Sequence, residues 1–413
     1  LSTTNEVEEA VGVAAVWRAC RGSVVFHAAL GLWAALSFVA FVWANTWLGI
    51  VGVPVAAGIA LLPLLRRRMS SFVVVLVCVP LWLAIGEFVF RAHFFGPDAL
   101  ANPTAYSPVS NFYMPGMVEL SDDPVLGFEL TPGFSGRFKG TDLELNPQGF
   151  RDDPFVARSP GDGFRIVAVG DSITLGSGVV RSAIFSDRLE AILSTPSRRV
   201  EVYNCSVAGM KVVQLARLAE RAAEEWDPDL ILLALRPTAV TDRLLPERVD
   251  WSEVLARNAE TARAMAWLRR YGFVPNLFAP PVRQIVRFIP GLERDMPEDA
   301  RASSPVLDGA LRSLSRLSRD GTPVVGVGLR LVSVGPAGAP AQKRAHDQLA
   351  QAFREHDLEF IDTFDAFPES YRPVDFTIYP GDGHPNAAAH DRIARTIAAA
   401  LEAGWSAQRG GAG

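Results

Sequence analysis

The chain has 413 residues, of which 49 % are hydrophobic, and a formal net charge of −5. That balance offers no basic footprint for nucleic acid. Its three cysteines, Cys20, Cys78 and Cys205, imply no disulfide framework, and with no cysteine–histidine cluster for a metal and no phosphate loop with its lysine, no cofactor is expected.

Residues 1–22 form a short amino-terminal segment. Within 23–91 follow three apolar runs, at about 24–44, 47–65 and 71–90, each close to the roughly 20 residues that cross a bilayer. Three such runs in series do not fit a cleaved signal peptide, which has one short apolar core, so three transmembrane helices are expected. Basic residues collect on the cytoplasmic side of membrane helices. Arg18 and Arg21 precede the first run, Arg66, Arg67 and Arg68 separate the second from the third, and the turn at Asn45 and Thr46 carries none. This pattern predicts a multi-pass membrane protein with a cytoplasmic amino terminus and everything after Arg91 outside the cytoplasm. The three-span segment reads as an anchor.

Residues 92–160 are rich in Pro, Gly and Asp, with short apolar stretches at 125–130 and 143–145. They read as a leader packing on the following domain, with a small β-hairpin. From 161 to 405, apolar strands at 165–169, 200–203, 230–235, 323–327 and 358–361 alternate with helical patterns at 183–193, 212–225, 306–319, 342–355 and 387–401. Such alternation is the signature of an α/β fold, a parallel sheet with helices on both faces. About 250 residues are ample for its core. An insertion at 243–304 interrupts it, with an apolar stretch at 273–290 that includes Arg283 and Arg287. It reads as a lid, a membrane-surface segment or a helical subdomain packed on the core. Residues 406–413 form a tail.

The first strand runs into Gly170-Asp171-Ser172, leaving a hydroxyl at its end, where an α/β sheet presents a nucleophile. A serine hydroxyl is a weak nucleophile and needs an imidazole to take its proton, and a carboxylate must fix the imidazole's tautomer. Asp382 and His384 supply both from one Gly- and Pro-rich loop, just before the last helical pattern.

Together these residues resemble the SGNH (GDSL) hydrolase family over roughly 160–405. The resemblance implies a three-layer, flavodoxin-like sheet and an acyl-ester hydrolase with Ser172, Asp382 and His384 as catalytic triad. Asn204 to Gly209 resembles the family's second block, so the N–H of Gly209 is expected to join that of Ser172 in the oxyanion hole. The third block departs: Thr238 stands where the family places an oxyanion-donating Asn. Cys205, beside this block, reads as a buried filler. The segments 126–132 and 146–152 resemble the leader of membrane-anchored members. The expected function is therefore a membrane-anchored, extracytoplasmic serine esterase acting on an acylated glycan or lipid, with deacetylation of an envelope glycan foremost. Lipid or lysophospholipid acylhydrolase, glycan O-acyltransferase and a non-catalytic binding module, the last suggested by Thr238, are the alternatives.

Overall fold

The computed structural model describes residues 85–87, 89, 92, 116–159, 161–237, 250–256, 305–334, 339–378 and 382–410. The chain divides into two compact units, Leu1–Leu100 and Ala101–Gly413. In the first, residues 85–87, 89 and 92 are helical; the three apolar runs otherwise lie outside the described residues. Among the described residues no helix is long and apolar enough to cross a membrane. Most of the 243–304 insertion, its stretch 273–290 included, and Thr238 also lie outside them.

The second unit is built on a five-stranded sheet. Its strands are β5 (Phe164–Gly170), β6 (Val200–Ser206), β7 (Leu230–Leu235), β8 (Val324–Gly328) and β9 (Glu359–Asp362), ordered β6-β5-β7-β8-β9. Every pairing is parallel. This is the flavodoxin-like order that the resemblance implies, and its direction of growth reverses beside β5, a topological switch point. The helices are α1 (Phe185–Leu193), α2 (Val212–Trp226), α3 (Pro305–Arg319), α4 (Ala339–Glu355), the short α5 (Pro373–Phe376) and α6 (Ala387–Gly410).

The strands are apolar on both faces because helices cover both. Along β5, Val167 and Val169 point into one core cluster while Ile166 and Ala168 point into the other, as the two-residue period of a strand requires. In β7, Ile231, Leu233 and Leu235 fill the first cluster and Leu230, Leu232 and Ala234 the second. Helix α2 covers the first face through Leu215, Leu218, Ala219 and Ala222, a spacing of three and four that keeps one stripe inward. Helix α6 covers the second through Ile393, Ala394, Ile397 and Leu401.

The leader contributes two antiparallel hairpins, where one was expected: β1 (Val118–Leu120) with β2 (Phe128–Leu130), and β3 (Ser135–Phe138) with β4 (Thr141–Glu144). Its Met117, Phe128, Leu143, Phe150 and Phe155 are buried in the same cluster as β5 and α2. Phe155 stacks on Tyr203 of β6 at 4.3 Å and meets the edge of Trp226 in α2 at 5.0 Å. At the start of the insertion, residues 251–256 are helical and Trp251 packs on Phe128, ring centroids 5.0 Å apart.

Candidate active site

Strand β5 ends at Gly170, where a Cβ would fall 2.0 Å from Thr174 Oγ1 and 3.2 Å from the Ala234 carbonyl, so only glycine lets the chain turn this tightly against β7. The buried Asp171 holds the turn: its Oδ1 accepts from Ile173 N–H at 3.0 Å. Its Oδ2 accepts from Arg236 Nε at 2.6 Å, an ion pair tying the turn after β5 to the turn after β7. Ser172 is left half-buried at the sheet's carboxyl edge.

His384 and Asp382 reach that edge from the loop before α6. The loop is pinned on both sides: His384 O accepts from Ile378 N–H at 3.0 Å, and Asn386 caps α6 by accepting from Ala389 N–H at 3.1 Å. Asn386 Nδ2 also donates to the Asp375 carbonyl at 3.0 Å. His384 Nε2 lies 2.9 Å from Ser172 Oγ, and its Nδ1 lies 2.5 Å from Asp382 Oδ1. The same carboxylate oxygen accepts the His384 backbone N–H at 2.9 Å. A carboxylate at Nδ1 places the ring proton there, so Nε2 presents a lone pair to the serine hydroxyl.

The expected nucleophile, base and acid are thus brought into one hydrogen-bonded chain. With the acid two residues before the histidine, Asp382 accepts from both the backbone and the ring of His384. Asp382 is buried and its carboxyl is held well below the ordinary range: burial opposes its charge, but the Lys139 cation and the interaction with the His384 ring together outweigh that cost. Burial pushes the His384 imidazole below its usual value and the Lys139 charge adds to that, against the opposing pull of Asp382 and Asp171.

Gly209 follows β6 with φ +86°. Among the described residues no acceptor engages the N–H of Ser172 or of Gly209, which leaves both donors available. Asn204, at the start of the second block, faces inward instead. Its Nδ2 donates to the Thr174 carbonyl at 2.8 Å and to Ser186 Oγ at 3.1 Å, bracing the nucleophile turn from behind. Cys205 is free and buried, and burial pushes its thiol far up, so no thiolate competes with Ser172. Among the described residues no three His, Cys, Asp or Glu side chains gather as a metal site.

Two leader residues escaped the sequence reading. Arg151, fully buried, donates to the carbonyls of Leu175, Gly176, Val179 and Asp142 at 2.7–3.1 Å, gripping the loop that follows Ser172. Lys139 donates to Asp382 Oδ2 at 2.6 Å. Arg151 stands in the segment compared above with membrane-anchored leaders, and that was its one signal. Nothing in the sequence around Lys139 marks it.

No family model and no curated protein matches the chain. Among solved structures it is similar to LAE5, an alpha/beta hydrolase enzyme from the metagenome of Lake Arreo, Spain, at 18 % identity and a TM-score of 0.36, over 58 % of this chain and 95 % of that one. It is similar to Axe2, an acetylxylan esterase from Geobacillus stearothermophilus, at 17 % identity and a TM-score of 0.33, over 57 % and 93 %. A member of the lipolytic protein G-D-S-L family from Veillonella parvula is similar at 16 % identity and a TM-score of 0.32, over 58 % and 97 %. Similarities this low carry neither a family nor a substrate across to this chain.

Proposed function

We propose that the protein is a serine ester hydrolase of the SGNH type, anchored to a membrane by its amino-terminal segment with the hydrolase domain on the extracytoplasmic side. The observation that carries the reading is the continuous chain from Ser172 Oγ through His384 to Asp382, with gaps of 2.9 and 2.5 Å. In this mechanism Ser172 Oγ attacks the ester carbonyl as His384 Nε2 takes its proton. The imidazolium formed is stabilised by Asp382. The N–H groups of Ser172 and Gly209, joined by a donor at or near Thr238, hold the oxyanion. His384 then returns its proton to the departing alcohol, which leaves an acyl group on Ser172. Water attacks that ester with His384 again as base, releasing the acid and restoring the serine hydroxyl. Every proton is moved by a residue of this chain.

The substrate proposed is an acylated, foremost acetylated, envelope glycan. An outward-facing site close to a bilayer meets such polymers, and the apolar runs at 24–44, 47–65 and 71–90 with their flanking arginines support that reading. A membrane-impermeant fluorophosphonate, which phosphonylates activated serines, tests nucleophile and side together. Added to intact cells expressing the full chain, it is expected to label wild type at Ser172 and to leave Ser172→Ala unlabelled. Labelling only after lysis would contradict the outward placement, and no labelling in either case would contradict the nucleophile.

A further inference from the structure

We propose that Lys139 is a positioning residue of this site, a buried cation that the leader inserts behind the acid–base pair, where it fixes the Asp382 carboxylate and sets a positive charge beside the His384 ring. The proposal rests on the triad reading above and adds a fourth member from a segment remote in sequence.

Three observations meet at Lys139. The first is its backbone. Lys139 and Gly140 are the two central residues of the β3–β4 hairpin, at φ +51° and +85°. Such a turn favours Asn, Asp or Gly, and a lysine there is strained. The second is its burial: only 3 % of the residue is exposed, although lysine is almost never fully buried unless paired. Gly178, at φ +82° in the loop after Ser172, makes room for it, since a Cβ there would fall 3.3 Å from Lys139 Cβ and closer still to Ile378. The third is its partners. Nζ donates to Asp382 Oδ2 at 2.6 Å and lies 3.0 Å from His384 Nδ1. The two carboxylate oxygens of Asp382 are thereby divided, Oδ1 to histidine and Oδ2 to lysine. A turn that strains a lysine and a pocket that dehydrates it are both offset by this ion pair.

With its proton held on Nδ1 by Asp382, His384 meets Lys139 as a neighbouring positive charge rather than as a hydrogen-bond acceptor. Among the described residues, the charged and titratable groups facing His384 are Asp382 from its own loop, Lys139 from the β3–β4 turn, Asp171 from the turn after β5, and His390 of α6. Burial pushes His390 down to about 3, so it adds no charge near neutrality. Lys139 is the facing cation that opposes protonation of the base, and it does so at a distance where like charges act strongly. Burial lowers the proton affinity of Lys139 itself, while Asp382 raises it in return.

The test compares wild type, Lys139→Met and Lys139→Arg in the purified full chain. Two measurements are made against pH: the rate of phosphonylation of Ser172 by a fluorophosphonate, and the titration of His384 by NMR, assigned with His384→Asn. Lys139→Met is expected to move the acid limb and the His384 titration upward together by about one unit or more, and Lys139→Arg to move them less. An unchanged titration in a folded Lys139→Met would overturn the role of Lys139, whatever the activity. If wild type titrates as expected but never phosphonylates, the hydrolase reading fails separately. Should Lys139→Met not fold, Lys139→Met/Asp382→Asn leaves no orphaned buried charge and is compared with Asp382→Asn. A higher His384 titration in the double variant supports the proposal, and equal titrations reject it.

Discussion

At the level of single residues, the site is a chain of matched donors and acceptors. Its electrostatics give one prediction for the wild type. Because burial and the Lys139 charge hold the His384 imidazole below its ordinary value of about 6.5, the base is neutral at pH 7. Activity then falls only as acid protonates it. The acid limb of kcat/KM for hydrolysis of a neutral ester is expected below pH 6.5, and a limb clearly above pH 7 would contradict the placement of that charge. The Asp382 carboxylate works in the same direction for stability. Its folded-state affinity for protons is depressed, so the stabilisation it contributes is complete above the ordinary carboxylate range and is lost as pH falls through its lowered value.

Elements matter because the triad comes from two of them, the turn after β5 and the loop before α6, and the β3–β4 hairpin sets Lys139 against it. Strands and helices of the sheet were legible in the sequence. The run 230–235 is β7 to the residue, and α2 extends only one residue beyond its expected end, because fully buried strands read as unbroken apolar runs and covering helices keep a strict stripe. Ser172, Asp382 and His384 were legible for a different reason, since the glycines and prolines beside them mark turns at sheet ends. The leader was not. Its strands are three or four residues long, too short to show a period, and its buried Lys139 and Arg151 are residue types that sequence assigns to the surface. Their positions follow from long-range packing alone.

Arg151 joins the leader to the nucleophile turn. It spans β4 and the loop 175–179 with four hydrogen bonds from one guanidinium, and Arg151→Met would leave four carbonyls without that partner. Hydrogen bonds to charged groups contribute roughly 1.5–3 kcal/mol each, and breaking a buried network is among the changes that cost most. A loss of about 3 kcal/mol or more is expected, read as a lower urea midpoint for unfolding of the domain, with slower phosphonylation of Ser172 as the loop loosens. A variant with the wild-type midpoint and rate would show that the leader is dispensable to the nucleophile turn.

For the molecule as a whole, the leader is not a passive connection. It shares a hydrophobic core with β5 and α2 and supplies a cation to the proposed acid–base pair. If the hydrogen-bonded side chains of Ser172, His384 and Asp382 perform ester hydrolysis, the purified full chain turns over a short-chain chromogenic acetyl ester. Wild type is expected to hydrolyse it, with Ser172→Ala losing that activity while its fold, followed by circular dichroism, is unchanged. Equal turnover in wild type and Ser172→Ala would contradict the claim.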